Sequence, residues 1–227
     1  MKGSPVSIAF LSALLSMNIH AQQDDQQIDY NADKLTNISN ENGTAFYLKL
    51  GLGAVRYTTQ KDAPSGVDIK FESGFSLHAT AGKNIGKHAA VELELNRQRS
   101  NFRGTGSNGV AFNHANTDYQ SAMINFIFKP KITNSLGNFN PYAGAGLGLS
   151  RVSYSVPASP FSKRTDTVKA HQYFLGNTFI LRDNFFIDAE YRYFKTENPQ
   201  VAPQTGDAFD FDNSATQSLI ISYGKNF

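Results

Sequence analysis

The chain has 227 residues, enough for one domain with a sizeable interior, and a formal net charge of only +2. Charged residues make up 18 % of it and form no clustered basic face, so a nucleic-acid partner is not expected. The absence of Cys excludes a disulfide framework, a thiolate metal site, a Cys nucleophile and a lipid-modified Cys.

The first segment, residues 1–21, has the features of a secretory signal peptide. Lys2 gives it a positive start, an apolar run extends from Val6 to Met17, and the small residue Ala21 suits a cleavage site. The alternative is a membrane anchor, but the run is shorter than the ~20 residues that a spanning helix needs. We therefore expect the chain to be exported.

Residues 22–43 are rich in Gln, Asn and Asp and show no periodicity. Segments of this kind bury too little apolar surface to fold, so we predict a disordered periplasmic tail.

The remaining residues, 44–227, predict a single domain of eight strands in which apolar and polar side chains alternate. The predicted strands are residues 45–58, 71–83, 89–102, 116–128, 141–156, 167–181, 185–196 and 214–227. The connections after the first, third, fifth and seventh strands are long and polar. Those after the second and sixth are short, whereas the turn at residues 129–140 is longer than this pattern expects.

The two faces of each strand differ in polarity, and this difference indicates what surrounds the sheet. In the first strand Leu48, Leu50 and Leu52 share a face and Lys49 lies on the other. No helical pattern remains that could cover the apolar faces. A closed sheet with its apolar face in lipid and its polar face inside resolves this. We predict an all-β fold, an eight-stranded antiparallel up-and-down transmembrane β-barrel.

Two other features of the sequence bear on the interior. Gly144, Gly146 and Gly148 leave the inner face of the fifth strand almost without side chains, so bulky neighbours must fill the lumen there. A soluble barrel of lipocalin type would need an apolar interior, and the charged inner faces argue against it.

The stretch from Leu181 to Thr196 carries a family resemblance. Its turn at Asp183-Asn184 and its ending Glu190-Tyr191-Arg192-Tyr193 resemble the penultimate strand of small outer-membrane barrels related to the OmpA transmembrane domain and the Opa and surface-antigen proteins. The resemblance extends over about residues 45–227. It implies an integral outer-membrane protein with extracellular loops and a structural, surface-interaction role that is adhesin-like or antigen-like. Host or cell-surface molecules are the partners that this role implies.

The last residue, Phe227, resembles the carboxy-terminal aromatic signal that the barrel assembly machinery recognises, although Gly224 and Lys225 depart from the fuller pattern. The resemblance thus implies this machinery as a partner during biogenesis.

The predicted inner faces carry a set of polar and charged side chains. An eight-stranded barrel is just wide enough for its own side chains to fill it, and unpaired charges there are costly. We expect a buried polar network with a structural role; the alternative is a narrow pore, made cation-preferring by the surplus of acids. The network comprises Lys49, Glu72, His78, Glu92, Glu94, Asp188, Glu190 and Arg192.

A second set of charges continues the lipid-facing alternation beyond the apolar band. We hypothesise that these side chains contact lipopolysaccharide phosphates, for which Arg forks are suited. Ordinary solvated charges are the alternative reading. The set comprises Arg56, Arg97, Arg99, Arg151 and Lys169.

Enzymatic and metal chemistry are not expected. Some small barrels modify lipid A with a His and a Ser near the rim, but His114 and Ser121 do not match the pattern of those enzymes. Asp207, Asp210 and Asp212 lack the spacing of a calcium loop. No cofactor, metal site or catalytic residue is predicted.

Overall fold

The computed structural model of the chain describes residues 45–57, 60–61, 68–105, 111–130, 139–155, 164–197, 200–201, 209–210 and 215–227. The predicted signal peptide and periplasmic tail lie outside this part of the chain and stay predictions. No helix within it is long and apolar enough to cross a membrane.

Twelve strands lie in the described ranges, and eight of them are long. In chain order they are β1 (Phe46–Tyr57), β2 (Gln60–Lys61), β3 (Asp68–Phe71), β4 (Gly74–Ile85), β5 (Ala89–Thr105), β6 (Ala111–Phe128), β7 (Asn140–Ser155), β8 (Arg164–Ile180), β9 (Phe185–Thr196), β10 (Gln200–Val201), β11 (Phe209–Asp210) and β12 (Ala215–Asn226). The eight long strands correspond to the eight predicted ones, and β4, β5, β6, β7 and β8 each extend past one of their predicted bounds.

The eight long strands close into a barrel. Each pairs antiparallel with its neighbours in sequence, and β12 pairs with β1 to complete the ring. The predicted fold class is confirmed. The short turns after β4 and β8 lie at one end, together with the longer connection after β6, and we name this the turn end. The connections after β1, β5, β7 and β9 lie at the other end, which we name the loop end.

The pairing registers set the tilt of the strands. Starting from Leu93, cross-strand partners lead through β6, β7 and β8 to Lys195 of β9, and in the other direction through β4, β1 and β12 to Phe185 of β9. The two end points differ by 10 residues (195 − 185), which is the shear of the barrel. With ~3.3 Å per residue and ~4.8 Å between strands, this shear corresponds to a tilt of roughly 40°.

As predicted, alternate residues of each long strand lie on the outer wall and in the lumen. Leu48 and Leu50 are 54 % and 70 % exposed, whereas Lys49 between them is 6 % exposed. The same contrast holds along the other long strands. The outer wall is therefore an apolar band and the core lies inside the lumen.

The turn between β8 and β9 has the conformation that its sequence favours. Asp183 and Asn184 both have positive φ, 58° and 67°, and the Phe185 amide donates to the Arg182 carbonyl at 3.2 Å. Asn and Asp tolerate this left-handed conformation better than other residues with side chains, and it suits a two-residue hairpin.

One predicted inward residue is misplaced. Phe75 lies four positions after Phe71, but their β5 partners Arg99 and Phe102 lie only three positions apart, so an extra residue forms a β-bulge between β3 and β4. Glu72 lies in this bulge and is exposed. The prediction that Glu72 belongs to the lumen network was wrong, because the bulge breaks the alternation that assigned it inward.

Candidate functional site

The centre of the lumen contains a buried network of ions and hydrogen bonds. Arg192 forms ion pairs with Glu94 and, at 2.7 Å, with Glu190, while Lys49 lies 2.7 Å from Glu92 and 3.3 Å from Asp188. All of these side chains are buried. Pairing compensates the cost of removing the charges from water.

Neutral side chains complete the coordination of the carboxylates. Tyr47 donates to Glu92 at 2.8 Å, and Tyr142 donates to Glu190 at 3.0 Å. Thr178 donates to Asp188 at 2.7 Å, and Asn96 donates to Glu94 at 2.9 Å. Each of the four carboxylates therefore has at least two partners.

His78 joins the network through both ring nitrogens. Its Nδ1 lies 3.2 Å from Glu94 Oε1, and its Nε2 lies 2.9 Å from Ser76 Oγ. Of the eight predicted network residues, the structure thus brings together Lys49, His78, Glu92, Glu94, Asp188, Glu190 and Arg192, and leaves out Glu72.

Amide side chains that the sequence did not single out bridge the network. Gln172 donates to Asn125 at 2.7 Å, and Asn125 donates to Glu94 at 3.1 Å. Both amides are fully buried. Their inward phase was visible in the sequence, but their partners depend on the barrel shear, which the sequence does not display.

Apolar and aromatic layers lie at both ends of the network. Toward the turn end the layer consists of Tyr47, Ala90, Ile127, Tyr142, Phe174 and Phe186. Toward the loop end it consists of Val55, Tyr57, Phe102, Tyr119, Met123, Val152, Tyr154, Val168, Ala170 and Phe194. Both layers are buried, so the described side chains fill the lumen above and below the ions.

Each large ring near the turn end lies against a glycine on the next strand. Tyr47 is paired with Gly82, Phe186 with Gly224, Tyr142 with Gly176, and Phe174 with Gly144. A Cβ at any of these glycines would collide with the facing ring. The prediction that bulky neighbours fill the space beside Gly144 and Gly146 is confirmed, since Phe174 and Gln172 occupy it.

Lys129 lies below the turn-end layer, just past the end of β6. Its ammonium donates to Asn84 Oδ1 at 2.7 Å and stands 5.2 Å from the centre of the Tyr47 ring. Burial lowers the pKa of Lys129. The Lys129 side chain lies over the turn-end layer, at that end of the lumen.

The predicted outer cations are all exposed on the lipid-facing phase at the loop end. They are Arg56, Arg97, Arg99, Arg151 and Lys169, and Lys195 joins them as a sixth, half-exposed member. With the tilt given above, the six lie within roughly 6 Å of one another along the barrel axis. We name them the basic belt. Lys195 was missed although it continues the outward phase after Tyr193.

An acid that the sequence did not single out lies in the same belt. Asp118 accepts two hydrogen bonds from Arg97 Nε, at 3.0 and 3.1 Å, and pairs with its terminal nitrogen. Among the described residues, Arg56, Arg99, Arg151 and Lys169 form no ion pair. The belt is therefore predominantly positive.

A second group of cations lies near the turn end. Lys83 stands 5.0 Å from the Phe46 ring, and Lys225 stands 5.1 Å from Phe185 and 5.5 Å from Phe227. Roughly 20 Å of apolar wall separates this group from the basic belt, close to the ~25 Å apolar band of outer-membrane barrels. The outer wall thus has the dimensions of a membrane span.

A family comparison identifies the class of protein. The family model described as outer membrane protein beta-barrel domain matches residues 9–227. The chain belongs to this family. Its localisation is the outer membrane.

Solved structures show the same fold at low sequence identity. Neisserial surface protein A is 17 % identical, with 80 % of this chain and 97 % of that chain covered and a TM-score of 0.54. The outer membrane protein AlkL is 18 % identical, with 82 % and 91 % covered and a TM-score of 0.52. OprG from Pseudomonas aeruginosa is 14 % identical, with 82 % and 97 % covered and a TM-score of 0.55. No curated protein matches this chain.

The residues weighed for enzymatic and metal chemistry form no site in the described part of the chain. Ser121 is buried in the lumen and donates to Ser150 at 2.9 Å, away from the rim. The side chains of His114, Asp207, Asp210 and Asp212 lie outside the described residues. Within the described ranges, no group of three His, Cys, Asp or Glu side chains is placed to hold a metal.

Proposed function

We propose that this family member is a sealed structural barrel that contacts outer-leaflet lipid through its wall and presents its long connections to the cell exterior. The single observation that carries the proposal is the filled lumen, in which a paired ion network lies between two buried aromatic layers.

The ion network supports a structural role over conduction. A cation-preferring pore needs carboxylates that exchange their partners for passing ions, but Glu92, Glu94, Asp188 and Glu190 are already bonded to cations or to hydroxyl and amide donors. Releasing any one of them would leave a buried charge without compensation. The narrow porin remains the second candidate, since the network contains four carboxylates against two fixed cations.

The basic belt supports an orientation with the loop end outside. Lipopolysaccharide phosphates lie in the outer leaflet, and Arg forks bind phosphate with paired hydrogen bonds. In this orientation the long connections are extracellular loops on a rigid scaffold, where binding functions commonly lie. Signal-peptide cleavage after residue 21 and recognition of Phe227 by the assembly machinery belong to the same proposal.

Solute flux tests the sealed lumen. Proteoliposomes containing the barrel should swell no faster than empty liposomes in small sugars or potassium salts, while an open porin reconstituted in parallel should swell rapidly. Swelling in potassium salts above the empty control would favour the narrow cation-preferring pore instead.

Loop exchange tests the surface role. Replacing residues 202–208 by a Gly-Ser linker should reduce adhesion of barrel-expressing cells to cultured epithelial cells. The matched control puts the same linker at residues 131–138, in the predicted periplasmic turn. Equal adhesion of both variants and the parent would contradict an adhesin-like role.

A further inference from the structure

The outer wall carries a groove that is lined mostly by outward-facing residues, and the lumen residues His78 and Asn96 border it from inside. The groove has a volume of about 1100 Å³ and follows cross-strand rows from β12 across β1, β4, β5, β6 and β7 to β8. Its lower row contains Leu50, Ala79, Leu95, Ala122 and Leu149, which are successive cross-strand partners. Ala79 and Ala122 deepen the floor between leucines, so the groove is apolar along most of its course.

Because of the barrel shear, the groove rises along the barrel axis. A row perpendicular to the tilted strands rises toward the loop end when followed from β12 to β8, because the path from Leu93 through β6, β7 and β8 reaches Lys195 and not Phe185. Six steps of ~4.8 Å at a tilt of roughly 40° give a rise of roughly 18 Å. This rise is close to the depth of one leaflet, ~15 Å.

The upper end of the groove is polar. Arg97, Gln120, Arg151 and Thr167 are successive cross-strand partners, and all four line the groove. Arg97 and Arg151 are two strands apart, about 10 Å. Arg97 is engaged by Asp118, whereas Arg151 forms no ion pair among the described residues. A cationic end above an apolar channel matches an amphipathic lipid with an anionic headgroup.

We propose that this groove is a specific site for one lipopolysaccharide molecule, with a lipid A phosphate at Arg151 and Arg97 and an acyl chain along Ala122 and Ala79. The inference rests on the proposed orientation, which puts the polar end in the outer leaflet. Lipopolysaccharide is the anionic lipid of that leaflet, and the charge complementarity of the groove favours its phosphates. The other members of the basic belt contact neighbouring lipids outside the groove.

Binding of purified hexa-acylated lipid A to the detergent-solubilised barrel tests this site, with native mass spectrometry as the readout. Arg151→Gln should weaken binding about tenfold or more, because it removes a charge-assisted contact with phosphate. Ala122→Leu should also weaken binding by filling the floor. The matched controls are Arg56→Gln, in the belt but off the groove, and Ala145→Leu, an outward alanine outside it. Both controls should bind like the parent.

Three results would overturn the proposal. Equal loss for Arg56→Gln and Arg151→Gln would show diffuse electrostatic attraction, and equal affinity for dephosphorylated lipid A would remove phosphate recognition. Equal affinity for phosphatidylglycerol would make the groove a phospholipid site. Retained heat-dependent gel mobility shows that each variant is folded. Flux through the lumen would end the sealed-barrel proposal and leave this site unaffected, so the two failures are distinguishable.

Discussion

Arg192 of β9 and Glu94 of β5 form an ion pair across the full width of the lumen. Three strands separate β9 from β5 in either direction around the wall. The pair therefore ties opposite walls together. Lys49 of β1 adds shorter ties to Glu92 of β5 and to Asp188 of β9. These contacts fill the middle of the barrel with bonded charge.

Arg192→Met should destabilise the barrel by about 3–5 kcal/mol, because Glu94 and Glu190 lose their cation while staying buried. The chain has no Trp, so the folded fraction in urea is best followed by gel mobility of unheated samples. The control Arg99→Met, in the exposed belt, should change stability little. Equal stability of both variants would contradict a structural role for the network.

Glu92→Gln and Glu72→Gln should behave differently although both glutamates were predicted to face inward. Glu92 is 1 % exposed and bonded to Lys49, so its neutralisation should cost about 2–4 kcal/mol, while exposed Glu72 should contribute less than about 1 kcal/mol. Urea titrations in the same detergent would compare them. A larger loss of stability for Glu72→Gln than for Glu92→Gln would contradict the exposed position of Glu72 in the bulge.

Gly82→Ala should destabilise the barrel by about 1–3 kcal/mol, since the new Cβ would collide with the Tyr47 ring. Displacing that ring also disturbs its hydrogen bond to Glu92. Ala81→Val is the matched control, because Ala81 faces outward and its added bulk meets lipid. Thermal or urea midpoints that agree for both variants would argue against tight ring-to-glycine packing.

Asp118→Asn should strengthen lipid A binding, opposite in sign to Arg151→Gln, because it releases Arg97 for phosphate. The exposed Arg97–Asp118 pair should contribute little to stability, so folding should hardly change. Native mass spectrometry gives the affinity and the urea midpoint gives the stability. Weaker lipid A binding by Asp118→Asn would indicate that Asp118 helps to orient Arg97.

The sequence predicted the fold because alternation in lipid is a local signal. Leu50 and Lys49 could be assigned to opposite walls from their spacing alone, and the glycines of β7 required large neighbours. The inward assignment of Glu72 was wrong because a β-bulge shifts the alternation of faces, and nothing in the sequence signals this bulge. The bridge from Gln172 through Asn125 to Glu94 was not predictable, since it depends on the shear.

The basic belt was only partly predictable because the pairing of its members depends on the strand registers. The lipid-facing phase of Arg97 and Arg151 follows from alternation, but their common row with Gln120 follows from the strand registers. Asp118 lies on the same phase and reduces the charge that Arg97 offers. The groove below them is a property of several strands and has no signature in any one of them.

Single-channel recording in planar bilayers tests the sealed lumen most directly. The parent barrel, inserted at a density verified by gel mobility and lipid flotation, should show no steady current in 1 M KCl at moderate voltage. A reproducible stepwise conductance with cation selectivity, abolished by neutralising Glu92 or Glu94, would contradict the account and establish the network as a filter.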